Sequence, residues 1–517
     1  MISKNKSCHE NTWPANICCT AFFFSCSKDK FDFNSFKDLE LSPELWFPFG
    51  EISLKLSDIK RDTSFISTDQ DGFITIILKK DSILRTNLAK ALIVPDQDTI
   101  PLAAVTGQQI TGDISVSLFN NAEIKKIYFD TLEISWSIPS SVPPGVEMAL
   151  QFIQSQHQTG NLTFQIDNIN NTPGIFHKTI FYNGYLDLSK NNTSHNTLQL
   201  NTSVLQYPSF IPAGTPIPFF INLSKIKIAG MEGYIGSSLI ELPVFNSNLN
   251  MKGLEKFREG ITFSNPKLDL SIFNNTGLEI GFQPNISGAS AAGSVTLLQI
   301  PTITVSKAPN PGLFSTTQVQ LNNSNSNLAE MLKKLPEFLI TSGSLQLNPN
   351  GKANNFLFNN NEIIINGIFE IPMEFSAKDM YFEKEISNFK FWKSNSTNLP
   401  EFIEFEFASE NGFPFELSVS AIFLDSITNS VIRIYNVDIL KPATVNSSGR
   451  VIAPNTYVST LRINENDLTA LNAAKSFYLR VKISTPNNGN QSVKIYDSYY
   501  FKTRLAAKAK LKFKPVR

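Results

Sequence analysis

Cysteine is nearly missing from this chain, and its few positions are informative. The 517 residues contain only Cys8, Cys18, Cys19 and Cys26. The body after Cys26 therefore has no disulfide, no thiolate metal site and no cysteine nucleophile. The four also lack the paired spacing of a zinc site. Histidine is as sparse, with His9, His157, His177 and His195. The last three lack the i, i+2 or i, i+4 spacing of a metal cluster and read as exposed loop residues. Charged residues are 17%, with 45 Lys and Arg against 45 Asp and Glu. Without a basic excess there is no counterion release to drive nucleic-acid binding. Long apolar runs are missing too: no stretch approaches the roughly 18 residues of a membrane-spanning helix. Nucleophile-elbow, zinc-protease, P-loop and dinucleotide motifs do not occur. The densest acidic group, Glu401, Glu404 and Glu406, alternates with Phe405 and Phe407, the pattern of a half-buried strand. The expectation is a non-enzyme with no metal and no cofactor.

What the chain has instead is phenylalanine, 42 residues of it, within a 42% hydrophobic composition. Uncharged Asn, Ser and Thr fill the polar positions, which suits strands with one buried and one wet face. Alternation recurs along the chain: Ile114, Val116 and Leu118; Leu132, Ile134, Trp136 and Ile138; Leu162, Phe164 and Ile166. Trp136 lies inside such a run and reads as core. Turn residues punctuate the runs, among them Asp69-Gln70-Asp71-Gly72, Asn183-Gly184 and Pro212-Ala213-Gly214. The Asp69–Asp71 pair reads as a hairpin turn, with too few further ligands for calcium. Two segments ask to be helices: Asn327 to Leu335 with Ser326 as cap, and Leu468 to Ala474 capped by Asp467. The predicted fold class is all-β, tandem antiparallel β-sandwich domains with few short helices.

A repeat supports two similar sandwiches. Leu268 to Ile272 leads through Asn274-Asn275-Thr276-Gly277 to Leu278–Phe282. Glu404 to Phe407 leads through Glu410-Asn411-Gly412 to Phe413–Leu417. Each reads as strand, Asn-Gly turn, strand, with Gly277 and Gly412 as the matching points. The expected divisions are a signal at 1–25, a tether at 26–50, a small β region at 51–112, and sandwiches at 113–250, 251–345 and 346–517. Near the end, Lys508, Lys510, Lys512 and Lys514 alternate along a strand, read either as a lysine-blunted edge or as a contact for anionic lipopolysaccharide.

Residues 1–25 have the order of an export signal: Lys4 and Lys6, an apolar run from Ile17 to Phe24, then small Ser25. Phe23-Phe24-Ser25-Cys26 resembles a bacterial lipobox, with Phe23 where leucine is preferred. That resemblance implies removal of residues 1–25 and acylation of Cys26, and several acyl chains on one residue anchor stably. Removal takes away two lysines and Glu10, leaving about one net negative charge. Cys26-Ser27-Lys28-Asp29-Lys30 looks like the signal that sends Bacteroidota lipoproteins to the outer face, with Ser27, Lys28 and Asp29 as its carriers.

Further stretches extend the likeness: Gly233-Tyr234-Ile235-Gly236, Phe263-Ser264-Asn265-Pro266-Lys267-Leu268 and Glu370-Ile371-Pro372-Met373. Together with the N-terminal motif they resemble a family of large, all-β Bacteroidota surface lipoproteins. The Asn-Pro-x-Leu strand before an Asn-Gly turn also resembles the small sandwich of late-embryogenesis-abundant proteins. The resemblance implies β architecture and an outer-membrane, cell-surface, lipid-anchored location, and supplies no activity. Asp81-Ser82-Ile83, Asp98-Thr99-Ile100, Asp130-Thr131-Leu132 and Asp425-Ser426-Ile427 resemble the Bacteroidota O-glycosylation signal, making Ser82, Thr99, Thr131 and Ser426 candidate acceptors. The leading expectation is a non-catalytic surface lipoprotein acting in adhesion or envelope assembly. Its partners are then the membrane, through the acyl chains, and outer-membrane proteins or glycans. One alternative is a glycan-binding accessory of a polysaccharide-uptake system, with Trp392 as the sugar contact. Another is a lipid carrier with a Phe-lined cavity.

Overall fold

The computed structural model describes residues 43–511 apart from 57–64, 89–93, 119–120, 158–159, 169–174, 181–183, 250–259, 291–294, 299, 388–399, 426–427, 429 and 472–473. The architecture is all-β. Among the described residues the antiparallel sheets carry two short helices, α1 (Leu328–Lys333) and α2 (Glu465–Leu471). Alternation does what the sequence promised. In Lys267–Asn274, Leu268, Leu270 and Ile272 point inward and are fully buried, while Lys267, Asp269 and Ser271 face outward. Glu362–Pro372 alternates in the same way.

Two sandwiches share one topology. In the first, Lys267–Asn274 sits between Ser315–Leu321 and Glu362–Pro372. Its chain successor, Ile280–Ala289, belongs to the other sheet and pairs with Phe338–Leu347 and with Val295–Leu298 and Ile303–Val305. In the second, Phe402–Asn411 sits between Asn455–Asn464 and Tyr500–Lys510. Its successor, Glu416–Asp425, pairs with Ala474–Ser484 and Val431–Leu440. Helices α1 and α2 occupy the same place, each joining a strand of one sheet to a strand of the other. The final strand of each copy then takes a partner from the N-terminal part of the chain: Glu362–Pro372 pairs with Ile74–Asn87, and Tyr500–Lys510 with Glu44–Lys55.

The repeat read from the sequence is therefore present, but its turn is not a hairpin. The strands on either side of it belong to different sheets, and a buried asparagine, not the glycine, is the common point. Asn274 Nδ2 donates to the carbonyls of Leu278 and Ser306, both at 3.0 Å, while its Oδ1 accepts the N–H of Thr276. Asn411 Nδ2 donates to Phe415 O at 2.9 Å and Lys441 O at 2.7 Å, and its Oδ1 accepts from Phe413 N–H. The residue two after each asparagine accepts from an alanine, Ala308 in one copy and Ala443 in the other. Each asparagine ties its crossover to a later strand, satisfying backbone groups that no ladder reaches.

A third body is built on one ten-stranded sheet running from Gln97 to Tyr234 and extended by Asn355–Phe358. Gln97–Val105 pairs at one end of the sheet and Gln109–Ser115 at the other. A turn of three residues joins these two strands, so the sheet curls round until its ends meet. Its interior holds Ile134, Val146, Met148, Leu150, Phe152 and Phe219. Trp136 is buried there, as its place in the alternation implied.

Strand pairing redraws the expected boundaries. The segment 51–112 is no unit, because its strands are shared among the two sandwiches and the curled sheet. The lines at 250 and 345 also fall inside paired sheets, since long-range ladders set the divisions. The tether ends earlier than residue 50: Glu44–Lys55 is an edge strand with a bulge between Pro48 and Gly50. Proline, which has no N–H to donate, is tolerated at such an edge. Tyr500–Lys510 is no edge but an inner strand, and Lys508 and Lys510 pair with Glu44 and Glu401 at 2.6 and 2.8 Å. The blunted-edge reading does not describe these two residues, while Lys512 and Lys514 lie outside the described residues. Helix α1 begins where expected, but its cap position is Asn327 with no side-chain bond, and Ser326 Oγ donates to Asn322 O. Helix α2 begins at Glu465, leaving Asp467 within its first turn, paired with Arg433 at 2.9 Å. At the 69–72 turn, Asp69 Oδ1 accepts the N–H groups of Asp71 and Phe73, so this oxygen closes a turn.

Candidate functional site

Three features of the described surface and interior have the chemistry of a site. The first is an apolar cavity of about 280 Å³ where the two sandwiches join. Phe413 and Phe415, just after the Asn411 crossover, form one wall, with Leu417 and Leu440 beside them. Ile483 and Phe501 come from the neighbouring strands, and Leu54, Leu56, Met373, Phe375 and Ile495 close the junction side. The walls expose no polar atom, so water inside would find no hydrogen-bond partner. Backbone bonds hold the junction rigid around the cavity: Met373 N–H donates to Ile74 O, Ile495 N–H to Met373 O, and Ile74 N–H to Ile495 O.

The second is a polar cleft, also about 280 Å³, lined by Glu123, Lys125, His195, Tyr234, Lys352 and Asn354. Lys352 hydrogen-bonds Glu123, and His195 Nδ1 lies 3.9 Å from the same carboxylate. The Lys352 hydrogen bond holds the Glu123 carboxyl below its ordinary 4.5, against an opposing desolvation, and the charges of His195 and Lys352 add to the lowering. The same hydrogen bond, then the Glu123 charge, pushes the Lys352 ammonium above its ordinary 10.5. The depressed carboxyl contributes stability above 4.5 that is lost as pH falls through its folded value; the raised amine contributes stability below 10.5 that is lost as pH rises through its own. This pair ties the curled sheet to the loop after Phe338–Leu347. Glu123→Gln is therefore expected to lower the urea midpoint slightly and evenly near neutrality, with the difference vanishing in acid below the carboxylate range. Midpoints measured from pH 3 to pH 8 check it.

The third is the edge strand Glu44–Lys55. It presents Leu45, Trp46, Phe47 and Ile52 to solvent, with Trp46 57% and Ile52 65% exposed. Among the described residues no strand pairs along its outer edge. A long apolar edge is a template for another strand. Lys508 lies 5.6 Å from the centre of the Trp46 ring.

The residues singled out from the sequence are scattered. Cys26, Ser27, Lys28, Asp29, Trp392 and Ser426 lie outside the described residues, as do the side chains of His157 and His177. Glu404 and Glu406 lie on the outer face of the second sandwich, opposite Lys508 and Ala506. Ser82 and Thr99 share a geometry the sequence did not reveal. Both are exposed, both sit in β-bulges at positive φ, +53° and +51°, and each donates its backbone N–H to an asparagine Oδ1, of Asn366 and Asn222 respectively. Thr131 is half-buried, opposite Lys227, where the ladder shifts register on either side. The lipid-carrier alternative expected a Phe-lined cavity but placed none of its residues, because leucine and phenylalanine on alternating strands read as core wherever they occur. No sequence signal marks the exposed edge apart from Trp46 and Phe47 lying close to Pro48.

No protein family and no curated protein matches the chain. Among solved structures it is similar to a candidate secreted protein from Parabacteroides distasonis, at 14% identity and a TM-score of 0.30, over 54% of this chain and 89% of that one. It is also similar to a chain from the Gx strain of infectious bursal disease virus, at 9% identity and a TM-score of 0.14, over 87% and 83%. Likenesses this low carry no argument about function.

Proposed function

We propose that this chain is a non-catalytic lipoprotein, anchored at the outer membrane through acylated Cys26 and facing outward, that works as an interaction module by adding a partner strand to its Glu44–Lys55 edge. The observation that carries the reading is where that edge lies. It is the first described strand after the segment bearing Cys26, and it exposes Leu45, Trp46, Phe47 and Ile52 along an edge that no other described strand pairs. Main-chain bonds along such an edge supply affinity, and the exposed side chains supply selectivity. The lipobox-like Phe23-Phe24-Ser25-Cys26 and the following Ser27-Lys28-Asp29 support the location.

Protease shaving of intact cells tests the location, and crosslinking from Trp46 tests the edge. Shaving is expected to remove the body from wild-type cells, and a photo-crosslinker at position 46 to capture one envelope protein. Ile52→Lys, which places a charge on the edge, is expected to abolish that capture while leaving the fold intact. Protection of the body in intact cells, or capture unchanged by Ile52→Lys, would contradict the proposal.

A further inference from the structure

The repeated topology supplies an internal comparison for the apolar cavity. Counting from the two asparagines and following the strand ladders, six cavity residues have counterparts in the first sandwich. Phe413 corresponds to Thr276, Phe415 to Leu278 and Leu417 to Ile280. Leu440, Ile483 and Phe501 correspond to Val305, Leu347 and Ile363. All six counterparts are 0–1% exposed. That end of the first sandwich is sealed by Asn348, which donates to Gly236 O, and by Asn355, which donates to Gly277 O. In the second sandwich Phe415, Leu417, Ile483 and Phe501 are only half-buried around the 280 Å³ space. One copy of the fold closes this end and the other holds it open. The interior-facing residues Ile403, Phe405, Phe407 and Leu505 are also half-buried, so the two sheets of the second copy are loosely closed along much of their length.

We propose that this cavity is a binding site for one linear hydrocarbon chain, the acyl tail of a fatty acid or lipid, with its head group outside. Wholly apolar walls reward methylene groups and offer nothing to a polar ligand. An apolar void of about 150 Å³ takes up benzene, so about 280 Å³ accommodates roughly ten to twelve carbons. Four phenylalanines and Met373 form walls that adapt to a flexible chain. The proposal is independent of the surface-lipoprotein reading.

Dodecanoate and lauroyl-lysophosphatidylcholine, each below its micelle concentration, are titrated calorimetrically into the full chain carrying Cys26→Ala, so that any bound tail belongs to a separate molecule. Both are expected to bind at one per chain, and the tighter of the two identifies the source of the tail. Leu417→Trp, which fills the cavity, is expected to weaken binding by about tenfold or more. Val458→Trp, on the exposed outer face of the same sandwich, is expected to bind like the parent. If Leu417→Trp fails to unfold cooperatively, Ile483→Phe on the neighbouring strand takes its place. The proposal is overturned by absence of binding to the parent chain together with a raised melting temperature on filling, which would make the cavity a packing void. Binding unchanged by either filling variant would overturn it as well.

Discussion

Asn274→Ala is expected to destabilise the protein by about 3–5 kcal/mol, with a fall in the urea midpoint at unchanged slope. The side chain is fully buried and makes three hydrogen bonds, two donated to carbonyls and one accepted from Thr276 N–H. Alanine leaves Thr276 N–H and Leu278 O without these partners inside the sandwich, where each such group costs about 1–3 kcal/mol, while Ser306 O keeps the hydrogen bond donated by Ser315 Oγ. Asn274→Asp fares no better, because a carboxylate faces two carbonyl oxygens where two N–H donors belong. Asn411→Ala breaks the same set of bonds in the second copy. Its effect is expected to be smaller, because the half-buried surroundings of the second sandwich admit water to part of what is lost. Similar losses at both positions, larger at Asn274, would show that the two crossovers are one device used twice.

Gly343→Val is expected to cost at least 3 kcal/mol and to reduce the yield of folded protein sharply. Gly343 has φ of +148° and faces Pro284 across the ladder, where an added Cβ would lie 2.3 Å from the Gln283 carbonyl oxygen. Two costs combine. Positive φ strains any L side chain by about 1–3 kcal/mol, and the contact is with backbone, which cannot swing aside. Gly312→Ala separates these terms, because Gly312 has φ of +84° with nothing within 4 Å of its Cβ position. It is expected to cost about 1 kcal/mol, the strain alone. Thermal and urea denaturation of the two variants check the difference.

What the sequence made legible was local. The alternation of Lys267–Asn274 and Glu362–Pro372 is written in their side chains, and the core position of Trp136 follows from its neighbours. The repeat was also legible, although Gly277 and Gly412 drew the eye from the asparagines that do its structural work. Long-range pairing was not legible. Nothing in Ile74–Asn87 announces Glu362–Pro372 as its partner, and nothing in Glu44–Lys55 announces Tyr500–Lys510. A strand buried between neighbours and one at an edge differ by what lies beside them, so the alternating lysines at 508 and 510 were consistent with either until Glu44 and Glu401 were placed next to them. Which residues line the cavity was hidden for a related reason. Leu278 and Phe415 occupy the same place in two copies of one topology, and only their surroundings make one sealed core and the other a half-open wall.

Anchoring through Cys26 is the claim on which location and interaction both depend, and the intact mass of the protein extracted from membranes tests it most directly. A chain beginning at Cys26 and heavier than its sequence by acyl groups, with the increment lost in Cys26→Ala, is the predicted result. A chain that still carries residues 1–25, or one unmodified at Cys26, would contradict the account.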